Sequence, residues 1–274
     1  EVALAGLALG MANAGSCDDE SAGVLIQRLM EATETELDQS ISRFLCLGLG
    51  LLFLGSTERC EPTMEALKTI EHKRARYAEV VLETCAYAGS GNVLKVQQML
   101  RICAEHISEP KDGEHQAAAV LGIALTVLGE DIGTEMSLRT FDHLLHYGEL
   151  VVRRVVPLGI ALLYLSNPDY AVIEQLSRLS HDADSEIAQN AIFGLGLVSA
   201  GTNNSRVAGL LRQLSEFYAK DAPSLFVVRM AQGLLTMGKG LVSISPFQSD
   251  RFLMTKSSLA GILVVLHCCL DMKH

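Results

Sequence analysis

Three stretches of this sequence place chemically capable residues at meaningful spacing. Gly233-Leu-Leu-Thr-Met-Gly-Lys239 has the outline of a phosphate-cradling loop, in which backbone N–H groups and a lysine hold an oxyanion. The hydroxyl residue that should follow the lysine is replaced by Gly240, and the stretch sits at a helix end rather than between a strand and a helix. His143 and His146, beside Asp142, share a helix face, but no third or fourth ligand stands at zinc-site spacing. Glu20, Gln27 and Glu31 stand at i, i+7 and i+11. At about 100° per residue all three project within roughly 20° of one line, a polar stripe suited to hydrogen-bonding and ion-pairing with another protein. An ordinary solvated helix face has the same pattern.

Covalent chemistry finds less support. No Ser or Cys has an evident neighbouring base, and no pair of carboxylates stands out. Helical barrels that hydrolyse sugars use stacking aromatics and paired acids, whereas this chain has no Trp. Asn203-Asn-Ser205 fits a glycosylation acceptor, but the cysteine usage points away from that compartment. Sequence reading therefore expects no enzyme, no cofactor and no metal.

The elements that must position the stripe come from a repeated phrase. Asn190-Ala-Ile-Phe-Gly-Leu-Gly-Leu-Val-Ser-Ala-Gly201 is a short helix rich in Gly, Ala and Leu that stops at a glycine. Similar helices stop at Gly15, Gly55, Gly89, Gly129, Ser166 and Gly238, with an eighth copy beginning at Leu259. These stops are 34 to 40 residues apart, the period of two-helix repeats that bury their apolar faces only by stacking. Glycine inside a helix costs about 1 kcal/mol against alanine, so Gly194 and Gly196 imply close helix approach. The fold class expected is all-α, a superhelical solenoid, with residues 1–274 a single segment cut from a longer array. A flexible loop is expected near 108–115, where Ser108-Glu-Pro-Lys-Asp-Gly-Glu114 lacks periodicity.

Individual helices follow from the same pattern. The helix from about Glu20 to Ala32 is expected to bury Val24, Leu25 and Leu29. Others are expected from Ser40 to Leu54 and from near Glu61-Pro62 to about His72, and Pro157 is expected to open the Leu158 helix.

Composition narrows the partners. The chain is 49% hydrophobic and carries a net charge of −10. Residues 1–72 hold twelve acids against four Lys/Arg, while the remainder is nearly balanced. An acidic surface disfavours nucleic acid and favours a basic partner. Seven cysteines, an odd number without a Cys-x-x-Cys pair, suit a reducing compartment such as cytosol or nucleus. No signal peptide is visible, and the longest apolar run, Leu259 to Leu270, is too short to span a bilayer.

Several phrases are more specific than the generic repeat. Ala86-Tyr-Ala-Gly-Ser-Gly-Asn-Val-Leu-Lys-Val-Gln97, Val120-Leu-Gly-Ile-Ala-Leu125, Leu179-Ser-His-Asp-Ala-Asp184, Ala200-Gly-Thr-Asn-Asn204 and Ala231-Gln-Gly-Leu234 resemble the proteasome/cyclosome repeats along the whole chain. The likeness is sharpest to a large repeat-built scaffold of the proteasome regulatory particle. The sister scaffold and the cyclosome's largest subunit are alternatives within the family, and a helical-barrel enzyme is the alternative outside it.

The resemblance implies a toroid of two concentric helix layers, non-catalytic, resting against the ATPase ring. It implies recruitment of ubiquitin chains, of shuttle proteins with ubiquitin-like domains and of a deubiquitinase, whose site is expected upstream of Glu1. The family's ubiquitin-receptor residues fall on Glu20, Gln27 and Glu31. Some members have an acid in place of Gln27, and Asp18 and Asp19 are expected to supply compensating charge. Ubiquitin's apolar patch, ringed by basic residues, suits an acidic helix face. Cytoplasm and nucleus are the expected locations, with no membrane partner.

Overall fold

The computed structural model describes residues 1–107, 113–248 and 253–271. It divides into two compact units, Glu1–Ser137 with Pro246–His274, and Leu138–Ser245. Among the described residues the regular structure is helical, apart from one isolated antiparallel bridge between Phe247 and Met254.

In the first unit an inner row is built from α1 (Val2–Ala12), α4 (Arg43–Leu52), α6 (Lys73–Ala86) and α8 (Glu114–Thr126), each packed on the next. Outer helices accompany them: α2 (Asp19–Glu31), the single turn α3 (Glu34–Leu37), α5 (Glu61–Leu67) and α7 (Val93–Cys103). The division between units falls within α9 (Asp131–Tyr147). The second unit repeats the plan, with α10 (Leu150–Leu163), α12 (Ser185–Val198) and α14 (Ala222–Leu235) in a row. They are flanked by α11 (Tyr170–Leu179) and α13 (Ser205–Phe217). The eighth copy of the phrase is α15 (Lys256–Cys268), which belongs to the first unit and packs on α1 and α4.

The inner helices α4, α6, α8, α10 and α12 are mostly buried, with every residue from His115 to Thr126 and from Ile187 to Val198 buried, whereas α1 and α14 bury one stripe. The outer helices bury one stripe, as in α13, where only Val207, Leu211 and Leu214 are buried. This division into an apolar layer and an amphipathic layer is the solenoid that the repeat period predicts.

Close approach accounts for some of the helical glycines. A methyl group on Gly10 would lie 2.6 Å from the Gly48 Cα, and one on Gly196 would lie 2.8 Å from the Ala231 Cα. Gly122 and Gly159 instead admit side chains, Thr84 and the Phe141 ring respectively.

The residue ending each inner helix does more than stop it. Gly15, Gly55 and Gly89 have positive φ and donate their N–H groups to Leu51, Cys85 and Leu125 O, at 2.9, 2.9 and 2.8 Å. In the second unit Ser166 donates to Leu197 O at 3.1 Å and Gly201 to Leu234 O at 2.9 Å. Each acceptor lies four residues before the next repeat's own stop. A carbonyl of a helix's last turn, which otherwise accepts only from the turn that follows it, thereby gains a partner in the preceding repeat.

Some expected boundaries move. Pro157 lies inside α10 rather than at its start. Val152, Val155 and Val156 are buried in the turns before it, and that burial outweighs the helix bond proline cannot donate. The Pro62 helix ends at Leu67, not His72, and α6 already begins at Lys73. Of the expected loop near 108–115, residues 108–112 lie outside the described residues, while Glu114 and His115 open α8. The seven cysteines are free thiols, and burial pushes those of Cys46, Cys85 and Cys103 up to about 12.

Candidate functional site

The stripe of Glu20, Gln27 and Glu31 lies on α2. Asp18 caps this helix, its carboxylate accepting the Ser21 N–H at 3.1 Å and the Ser21 hydroxyl. Those hydrogen bonds, the hydroxyl foremost, lower the Asp18 pKa below the usual carboxylate range. Asp19 and Glu20 occupy the first turn, where the helix dipole favours negative charge.

Ala22, Leu25 and Leu29 are buried against the body of the repeat, with α4 and α5 as neighbours. Leu25 and Leu29 sit about 140° and 180° around the helix from Glu20. The opposite face is therefore open, and Asp18, Asp19, Glu20, Gln27 and Glu31 are all exposed. Gln27 Nε2 donates to Glu31 Oε1 at 2.7 Å, so two of the three stripe residues already act together.

Val24 departs from the sequence expectation. It is 56% exposed, not buried. Its position, four residues after Glu20 and three before Gln27, puts it within the polar stripe, about 40° from Glu20. Gly23 beside it faces open space, and Met30 is 55% exposed near Glu31. The face is thus a polar stripe flanked by Val24 on one side and by Gly23 and Met30 on the other, a grouping that residue type alone, which reads Val24 as core, does not reveal. Its heptad position relative to Glu20 and Gln27 was the signal available.

Neighbouring elements add charge. Arg28 pairs with Glu36 at 3.4 Å, and the Glu36 carboxylate also accepts the Thr33 N–H at 3.2 Å, capping α3. On α5, Glu61 and Glu65 are exposed, as is Glu58 in the turn before it, and Lys68 pairs with Glu65 at 2.6 Å. The expected acidic neighbourhood is present. Glu20, Gln27 and Glu31 lie exposed on the helix surface beside it.

The other candidates of the sequence are placed differently. Gly233–Lys239 runs from α14 into a 3₁₀ turn, where Gly238, Lys239 and Gly240 have positive φ. It is a repeat turn: Leu234 and Leu235 O accept N–H groups from Gly201 and Asn203. His143 and His146 both contact the Tyr147 ring, and the His146 Nδ1 lies 2.7 Å from Asp142 O. Among the described residues no three His, Cys, Asp or Glu side chains gather as metal ligands. Asn204 caps α13 with its side chain, accepting the Arg206 and Val207 N–H groups.

Comparison with known proteins bears on this repeat directly. The proteasome/cyclosome repeat matches residues 190–220, which cover α12 from Asn190 onward, its turn and α13. The chain is a proteasome/cyclosome-repeat protein. It is 52% identical, over 99% of its length, to "26S proteasome non-ATPase regulatory subunit 2 homolog A" of Arabidopsis thaliana. It is 51% identical over 99% of its length to the Neurospora crassa "26S proteasome regulatory subunit rpn-1". It is 49% identical over its full length to "26S proteasome non-ATPase regulatory subunit 2" of Dictyostelium discoideum. The chain spans 30%, 31% and 30% of the lengths of these relatives. No helix among the described residues is long and apolar enough to cross a membrane.

Proposed function

We propose that this chain is a segment of a non-catalytic scaffold in the proteasome regulatory particle, and that α2 presents its binding face for ubiquitin and ubiquitin-like domains of shuttle proteins. The observation that carries the reading is the exposed strip of Glu20, Val24, Gln27 and Glu31, opposite the buried Leu25 and Leu29. A ubiquitin-fold partner offers an apolar patch with a basic rim. Val24 and Met30 meet the first, and Asp19, Glu20 and Glu31 meet the second, with Asp18 mostly committed to its cap. Each exposed ion pair contributes about 0–1 kcal/mol, so binding is weak per module and gains from multivalent chains. The names of the relatives support membership of the regulatory particle. Docking on the ATPase ring, and residence in cytoplasm and nucleus, belong to the same proposal.

The test is titration of isotope-labelled ubiquitin, and separately of a shuttle ubiquitin-like domain, with the chain. Wild type should shift resonances around the apolar patch, and the shifts should shrink with salt, since exposed charges are screened over about 8 Å at physiological ionic strength. Glu20→Arg, Gln27→Arg and Glu31→Arg together should abolish the shifts at unchanged helix content, while Arg212→Glu leaves them intact. Shifts that persist in the triple variant would move the site off α2.

A further inference from the structure

In the second unit the segment following the last inner helix turns back across the stops of the repeats. After Gly238, Lys239 and Gly240, all at positive φ, the chain reverses and Val242 lies against two successive stops. A methyl group on Gly238 would sit 2.8 Å from Val242 Cβ, and one on Gly201 would sit 2.8 Å from the Val242 carbonyl carbon. Gly240 in turn faces Asn203, whose Cβ would be 2.8 Å from a methyl group there. Two residues further on, the Ile244 N–H donates to the Ser166 hydroxyl at 3.0 Å. Ser166 is the stop that is not glycine, and its side chain is what receives this segment.

We propose that Gly240–Ile244 is a latch that clips the turns of three successive repeats together, giving this edge a closed and an open state. The latch touches the Gly238, Gly201 and Ser166 turns in order. It is held by the Val242 side chain at Gly238, by the Val242 backbone at Gly201, by the Ile244 N–H bond to Ser166 and, within its own turn, by the Leu241 N–H bond to Gly238 O at 3.2 Å, with little apolar burial. Leu241 is 89% exposed and Val242 46% exposed. Little buried apolar surface and one partly buried hydrogen bond are what allow a segment to open locally while the helices beneath stay folded. Beneath it, the Gly201 and Asn203 N–H groups bond Leu234 and Leu235 O, so the latch covers the hydrogen bonds that join one repeat to the next.

Native-state hydrogen exchange on the full chain tests this. Ser166→Gly removes the hydroxyl acceptor and also eases the positive φ, so any opening it causes reflects the lost hydrogen bond and not strain. Exchange at Ile244 should rise about tenfold, the scale of one lost hydrogen bond. If the segment acts as one latch, exchange at the Gly201 and Asn203 amides should rise with it, although Ser166 touches neither. Val242→Ser should speed the same set of amides from the other end, all of them by one common factor. Amides within α12 should keep their protection in every variant. A rise confined to Ile244 in Ser166→Gly, a set of amides in Val242→Ser that excludes Ile244, or no change in either would each overturn the latch.

Discussion

The Cα of Gly196 faces Ala231 so closely that a methyl group on the glycine would lie 2.8 Å from the Ala231 Cα and 2.9 Å from its Cβ. The glycine stands five residues before the stop of its repeat, and the alanine seven before the stop of the next. The same register pairs Gly10 with Gly48, Thr84 with Gly122, and Ala161 with Gly194. Gly10–Gly48 and Gly196–Ala231 bring backbone against backbone, whereas Gly122 receives the Thr84 side chain and Gly194 the Ala161 methyl group.

Gly196→Leu should therefore wedge α12 from α14. Overpacking of this kind typically costs 1–3 kcal/mol, with more expected where the obstacle is backbone. Thermal unfolding followed by circular dichroism should show a lowered midpoint. Gly209→Ala is the control: it faces open space, lies within helix α13, and should raise stability by about 0.5–1 kcal/mol or leave it unchanged.

Val24 and Leu25 are adjacent in sequence and opposite in role. Val24→Ser should weaken ubiquitin-fold binding while moving stability within about 0.5 kcal/mol, as for other exposed positions. Leu25→Ala, at 3% exposure, should cost about 2–5 kcal/mol in unfolding free energy. Denaturant melts and the binding titration on the two variants separate the roles. A Val24→Ser chain that binds as wild type would remove the apolar part of the proposed face.

The first unit contains a buried imidazole. His267 on α15 shares a 2.8 Å hydrogen bond with the Tyr77 hydroxyl, and burial first, then the Arg43 guanidinium, pushes its pKa down to about 3 from 6.5. The folded state keeps this group neutral while the unfolded chain takes up a proton below 6.5. Stability from this residue is thus fully present above about 6.5 and is lost as pH falls toward 3, at about 1.4 kcal/mol per pH unit. His267→Gln should flatten the pH dependence of urea unfolding between pH 4 and 6 by about that slope. An unchanged slope would mean that the imidazole is not buried as described.

The sequence carried the solenoid because its signals were local and repeated. Each stop needs positive φ or a tight turn, so Gly15, Gly55, Gly89, Gly129, Gly201 and Gly238 stand out as letters. Asp18, Asp184 and Asn204 cap α2, α12 and α13 with the residue types that favour such positions. What was hidden lay in partners distant along the chain. Ser166 reads as an imperfect copy of glycine until Ile244 is seen to bond its hydroxyl. Val24 reads as core by hydropathy, since burial depends on which neighbour covers a face. Pro157 reads as a helix start, because the burial of the preceding valines is a tertiary effect.

The hydrogen bonds from Gly15, Gly55 and Gly89, and from Ser166 and Gly201, all point the same way along the chain. At each of these five turns the N–H is completed by the repeat that follows, which in return gains a partner for a carbonyl of its last turn. Each junction therefore ties both of its repeats. Removing a repeat would orphan an N–H in the turn before it and take one partner from a carbonyl in the helix after it. The two sides of such a break would differ, a bare donor on one and an under-used acceptor on the other, giving a stack of near-identical parts a direction.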